Sequence, residues 1–193
     1  MGWMRIGMAA AALGMLSAAA AVAPAMAQAD PANPPAAAAT AASPELSKAD
    51  RDFVADAAQS GLAEVELGKL AQKSVNPDVR RFADRMITDH TKANVRLKAI
   101  AQANRVATPD TLDVEHRKLR DKLANEHDGN FDRDYARAMV ADHDQAINLF
   151  RQEEQSGGNT ELQAFARNTL PVLQQHRGMA AALAAKLGAT AAQ

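Results

Sequence analysis

Asn76-Pro77-Asp78-Val79-Arg80-Arg81-Phe82-Ala83-Asp84-Arg85-Met86-Ile87-Thr88-Asp89-His90 is the stretch on which the fold turns. Its first three residues are a helix start. Asn76 can cap, Pro77 sits where its missing N–H costs nothing, and Asp78 lies near the positive end of the helix dipole. Val79, Phe82, Ala83, Met86 and Ile87 then recur three and four residues apart, which places them on one helical face. Leu97 and Ala101 extend that face to about Asn104. His90 falls near its centre.

Working outward, every neighbouring segment reads as helix. Ser47 followed by Asp50 predicts a helix start, with the helix reaching about Val75. Thr108-Pro109-Asp110 predicts the opening of a shorter amphipathic helix carrying Leu112, Leu119 and Leu123 and ending near Gly129. A third long helix is expected from about Phe131 to Gln155, stopping at Gly157-Gly158. A fourth, capped by Asn159 or Thr160, runs to about Leu187. No stretch alternates with period two between turns, so no sheet is expected. The fold class is therefore all-α: a four-helix bundle over residues 45–189. Two hairpins are joined by a long helical crossover between the second and third long helices. A weak internal repeat accompanies this pattern, with Asn76-Pro-Asp-Val79-x-x-Phe82-Ala83 echoed by Asn159-Thr-Glu-Leu162-x-x-Phe165-Ala166.

Composition narrows the function classes. The 193 residues include 46 Ala, no Cys and 4% aromatics, and the formal net charge is -1. That balance argues against a polybasic nucleic-acid binder. The lack of Cys excludes disulfides, thiolate metal sites, a cysteine nucleophile and a lipid-modified N-terminal Cys. Residues 1–27 read as a secretory signal peptide. Arg5 lies in a short leading segment, an apolar run follows, and Ala25-Met26-Ala27 gives the small-x-small cleavage pattern, so the mature chain is expected to start at Gln28. Residues 28–44 are Ala/Pro-rich and read as a disordered linker. No later segment approaches 18 consecutive apolar residues, so no transmembrane span is expected in the mature protein.

On a helical wheel, several polar residues fall where the core should be. His90 lies in the apolar stripe of the second long helix, and His176 in that of the fourth, among Leu162, Phe165, Leu170, Leu173 and Leu183. Asp142 and His143 flank the midline of the face formed by Tyr135, Met139, Ala146 and Phe150. Glu64 lies within the arc of the first helix, whereas Glu66 points away. Gly61 and Gly68 share that arc, which suggests close helix approach or a hinge. Counted from the hairpin turns, Glu64, His90, His143 and His176 all sit near mid-bundle. Glu64, His90, Asp142, His143 and His176 are thus the candidate metal ligands, and the donor set suits a single Zn, Cu, Ni or Fe ion. The competing reading is a buried polar layer in which each His is bonded to Asp89, Asp142 or Glu64 and fixes helix register.

Other chemistry finds no support. A di-iron carboxylate bundle needs Glu three residues before a ligating His, and Ile87 and Leu173 occupy those places before His90 and His176. There is no phosphate loop, nucleophile elbow or His-Glu-x-x-His run, and no catalytic residue is nominated. Pro171 inside the fourth helix reads as a tolerated kink, or as a device that opens space near the histidines. His116 and His127 read as surface or capping residues.

Asp52-Phe53 with Glu64-Val-x-Leu67-Gly68-x-Leu70-Ala71, then Val79-x-x-Phe82-Ala-x-x-Met86-x-x-Asp89-His90 with Asn94 and Leu97, carry a resemblance. Gly129-x-Phe131-Asp132-x-x-Tyr135-x-x-x-Met139-Val140-x-Asp142-His143, then Phe150 and Leu170-Pro171-x-Leu173-x-x-His176, complete it. The sequence resembles the domain-of-unknown-function 4142 family over about residues 48–187. That resemblance implies an exported bacterial protein with a ferritin-like bundle and supplies no activity. Family members are often labelled outer-membrane proteins, but no barrel strands or lipid-attachment Cys support that placement here. The leading expectation is a periplasmic, non-enzymatic bundle that binds a metal ion or small ligand in its polar mid-layer. A role in envelope stress, resting on analogy, and an envelope protein partner go with that reading. The alternative is a structural or protein-interaction module.

Overall fold

The computed structural model describes residues 45–189. The expected signal peptide and the linker of residues 28–44 lie outside the described residues. Among the described residues there are five helices and no strand.

Helix α1 (Lys48–Ala71) opens with a capping box. The Ser47 hydroxyl accepts the Asp50 N–H at 3.0 Å, and the Asp50 carboxylate accepts the Ser47 N–H at 3.1 Å. It ends at Ala71, short of the expected Val75. The N–H groups of Lys73 and Ser74 fold back onto the carbonyls of Leu70 and Ala71. Ser74 then serves the next helix, its hydroxyl accepting the Asn76 N–H at 3.0 Å. Helix α2 (Pro77–Ala103) begins at the expected signal, with Asn76 Oδ1 accepting the Asp78 N–H at 2.9 Å. Arg105, at φ 60°, turns the chain away after it.

The crossover helix α3 (Val114–Ala124) starts later than Thr108-Pro109-Asp110 suggested. Asp113 makes the cap instead, its carboxylate accepting the His116 N–H at 2.8 Å. Helix α4 (Asp128–Ser156) starts three residues ahead of Phe131, with His127 at the N-cap and no side-chain bond from it. Helix α5 (Thr160–Lys186) is capped by Asn159, whose Oδ1 accepts the N–H groups of Glu161 and Leu162 at 3.0 and 3.1 Å. The helix continues through Pro171, which is exposed.

Two antiparallel hairpins, α1–α2 and α4–α5, meet through α1 against α4 and α2 against α5, while α3 leans on α1 and α4. The ends of the bundle fix this order. Gly158 donates its N–H to Asp50 at 2.7 Å at one end, and Ser74 donates to Asp132 at 2.6 Å at the other. The crossover therefore runs the length of the molecule and makes α2 and α4 parallel. This is the one-crossover arrangement of a four-helix bundle.

The apolar core falls into two clusters. One gathers Phe53, Phe150 and Phe165 with Leu97 and Leu173; the other gathers Phe82, Phe131, Tyr135, Met86, Met139 and Leu183. The aromatic rings meet mainly edge to face, at 5.1 Å for Phe53–Phe150 and 6.0 Å for Phe82–Tyr135. On each long helix the change from one cluster to the other occurs at a polar residue: Glu64, His90, His143 or His176. The two glycines of α1 serve close approach. A Cβ on Gly68 would lie 2.8 Å from Ile87 Cγ1, and one on Gly61 would run into the Asn94 amide.

Candidate metal centre

Three histidines from three helices converge between the two apolar clusters. The rings of His90 and His176 are 5.3 Å apart, and His143 stands 5.5 Å from each. One ring nitrogen from each residue lies within 4.8 Å of the others. His143 and His176 are 1% exposed and His90 is 7% exposed. The stripe positions force this convergence. Each histidine sits one turn from fully buried core residues, Met86 before His90 and Met139 before His143, so its side chain has nowhere to point but inward.

The outer nitrogens are fixed by partners. His143 Nδ1–H donates to the Met139 carbonyl at 2.8 Å, and His176 Nε2–H donates to Asp89 at 2.9 Å. Those bonds set both tautomers and leave the lone pairs on His143 Nε2 and His176 Nδ1. These two atoms, together with His90 Nε2, are buried without a hydrogen-bond partner among the described residues. Three unpaired imidazole nitrogens in one buried layer are costly, at about 1–3 kcal/mol for each unsatisfied group.

The electrostatics keep the imidazoles neutral. Burial holds His90 well below the usual imidazole range, and the neighbouring His143 and His176 push it further down. Burial brings His143 to about 4, against the opposing bond to Met139. His176 is lowered by burial too, although Asp89 works in the other direction. A neutral imidazole with its second nitrogen held by a carbonyl or carboxylate is the form in which histidine binds a metal.

The two candidate carboxylates stand apart from the three-nitrogen group. Glu64 Oε1 lies 3.4 Å from His143 Nδ1, on the side of the ring already held by Met139. Burial, reinforced by Asp142, raises Glu64 well above the ordinary range. Asp142 is half-buried and pushed up to about 6 by burial, with His116 on α3 pulling the other way. His116 itself bonds Asp113 at 2.8 Å and so reinforces the start of α3. Tyr135 is an unanticipated member of the layer. Its hydroxyl is buried and unpaired, and both burial and the nearby Glu64 raise it well above its ordinary range. Its place on the stripe with Met139 and Phe150 was the available signal.

The donor set fits one transition-metal ion. Three imidazoles without thiolate suit Zn, Cu, Ni or Fe. Ligands about 2.0–2.1 Å from one ion stand roughly 3.3–3.6 Å apart, so small side-chain rotations bring the three nitrogens into range.

The family model described as "Domain of unknown function (DUF4142)" matches residues 35–183, and the chain belongs to that family. No curated protein matches the sequence. Among solved structures, a DUF305 fragment from Deinococcus radiodurans is similar, at 16% identity and a TM-score of 0.63, covering 76% of this chain and 100% of that one. CopM in its Cu(I)-bound form is similar at 15% identity and a TM-score of 0.60, covering 71% of this chain and 96% of that one. CopM in its Cu(II)-bound form gives a TM-score of 0.57 at 15% identity, with the same coverage. These likenesses establish a shared helical fold.

Proposed function

Taking that family membership as premise, we propose that the protein is a metal-binding helical bundle that holds one transition-metal ion on His90, His143 and His176. The observation that carries this reading is the trio of buried, unpaired ring nitrogens, two of them oriented by partners on the opposite side of the ring. Copper is the first ion to test, because CopM, of the same fold, is seen in Cu(I)- and Cu(II)-bound forms. In this reading Asp89 orients His176, while Glu64 and Asp142 are outer carboxyl groups that tune the charge around the ion. Binding rather than turnover is the proposed activity.

The proposal extends to where the protein works. Residues 1–27 direct export, the mature chain starts at Gln28, and residues 28–44 tether the bundle in the periplasm, where envelope stress and an envelope partner set its context. Among the described residues no helix is long and apolar enough to cross a membrane. Intact-mass analysis of the exported protein tests the processing. Metal titration of the protein, with His90→Leu beside it, tests the binding. A structural layer that only fixes register would ignore metal in both.

A further inference from the structure

Only one of the three histidines keeps a trace of exposure, and it is the one beside a cavity. His90 is 7% exposed against 1% for His143 and His176. A cavity of about 20 Å³ lies against His90 inside the bundle, bounded on its α1–α2 side by Ser60, Gly61 and Asn94 and across from them by Thr169 of α5. That volume holds about one water molecule. Ser60 and Asn94, on facing helices, are half-buried, so the cavity comes nearest the surface on its α1–α2 side. Gly61 leaves a gap there that a side chain, not backbone, closes. The Asn94 amide occupies the space that a side chain at position 61 would fill.

The other two histidines are screened by hydrogen-bonding groups. His176 is covered by Asp89, which is itself paired with Arg85. His143 is backed by Glu64 and the Met139 carbonyl. His90 has no such partner on either ring nitrogen among the described residues, and its ring is the one the cavity touches.

We propose that the Gly61–Asn94 seam is the doorway of the histidine site, through which a metal ion enters and leaves past a movable Asn94 side chain. This rests on the metal-binding reading above and adds a route to it. A helix-to-helix gap lined by a glycine on one side and a short amide on the other needs only a rotamer change to open. Such changes are fast at half-exposed positions. A door affects how quickly the ion arrives and departs, and leaves the equilibrium between its two sides unchanged.

Stopped-flow mixing of the full chain with Cu(II), followed by release to excess EDTA, measures both rates. The variants are Asn94→Leu, which blocks the seam, Asn94→Ser, which widens it, and Arg85→Ala, which uncovers the Asp89 side. Asn94→Leu should slow loading and release together by about tenfold, and Asn94→Ser should speed both, because about 1.4 kcal/mol of barrier is worth that factor. The affinity should hold in both Asn94 variants. Arg85→Ala should leave the rates within about twofold. Unchanged rates in both Asn94 variants, or acceleration by Arg85→Ala alone, overturn the doorway while copper binding stands. Absence of copper binding by the wild type overturns the metal reading and the doorway with it. Circular dichroism identifies an unfolded Asn94→Leu, in which case Asn94→Ser decides.

Discussion

His176 gives its Nε2–H to Asp89 across the α2–α5 interface at 2.9 Å, and this one bond decides which face of the imidazole looks into the bundle. Asp89 is partly exposed and also accepts from Arg85 on its own helix, so the carboxylate links the surface to the buried layer. Removing it frees the ring and lets the proton move to Nδ1. Asp89→Ala should therefore weaken metal binding by about 10–100-fold, the usual effect of losing an outer-shell partner. Competition titration against a chelator measures it, and an unchanged affinity would show that the bond does not organise the site.

His90 contributes an unpaired buried nitrogen and close packing at once. Substitution by Leu removes the first and largely preserves the second. Metal-free His90→Leu should melt at or above the wild type, whereas His90→Ala should lose about 2–4 kcal/mol through the cavity it opens. Denaturant melts of the metal-free proteins check both, and a His90→Leu variant as unstable as His90→Ala would mean that His90 has a polar partner.

Glu153 is buried at the Asp50 end of the bundle, with one carboxyl oxygen unpaired. Burial and then the neighbouring Asp50 raise it to about 7. A carboxyl raised in the folded state stabilises below its ordinary value of 4.5, and that stability is lost as pH climbs through the folded value. The histidines, lowered by burial, contribute with the opposite slope below about pH 6.5. The difference between wild type and Glu153→Gln isolates the carboxyl. The wild type should lose stability relative to the variant between about pH 4.5 and 7, and melting temperatures across that range test it. A constant difference would place Glu153 at an ordinary carboxyl value.

Gly68 faces Ile87 so closely that a methyl group must displace it. Gly68→Ala should destabilise by up to about 2 kcal/mol, because an overpacking cost of about 1–3 kcal/mol at the helix contact outweighs the helix-propensity gain of about 1 kcal/mol. A denaturant midpoint equal to or above wild type would mean that Ile87 yields freely.

Much of this was legible in the sequence. Asn76-Pro77-Asp78 and the Ser47/Asp50 pair mark helix starts by local hydrogen bonding, which depends on few residues, and both stand where expected. The levels of His90, His143 and His176 follow from counting turns along rigid helices. The α3 start lies beyond Thr108-Pro109-Asp110 because Asp113 offers a second start signal, and its carboxylate is the one that caps the helix. The distance of Glu64 and Asp142 from the three nitrogens depends on side-chain rotation, which periodicity does not encode. Glu153, three residues beyond Phe150, sat on a visible core stripe. Its closeness to Asp50 joins residues more than a hundred positions apart, which no local pattern reports.

The central claim is that three imidazoles hold one ion. Titrating the metal-free full chain with copper while recording its melting temperature tests that most directly. The account predicts saturation at one equivalent and, for a micromolar site at a hundredfold excess of free metal, about 2.7 kcal/mol of added stability that His90→Leu abolishes. A melt that ignores copper, or a shift that persists in His90→Leu, would contradict it.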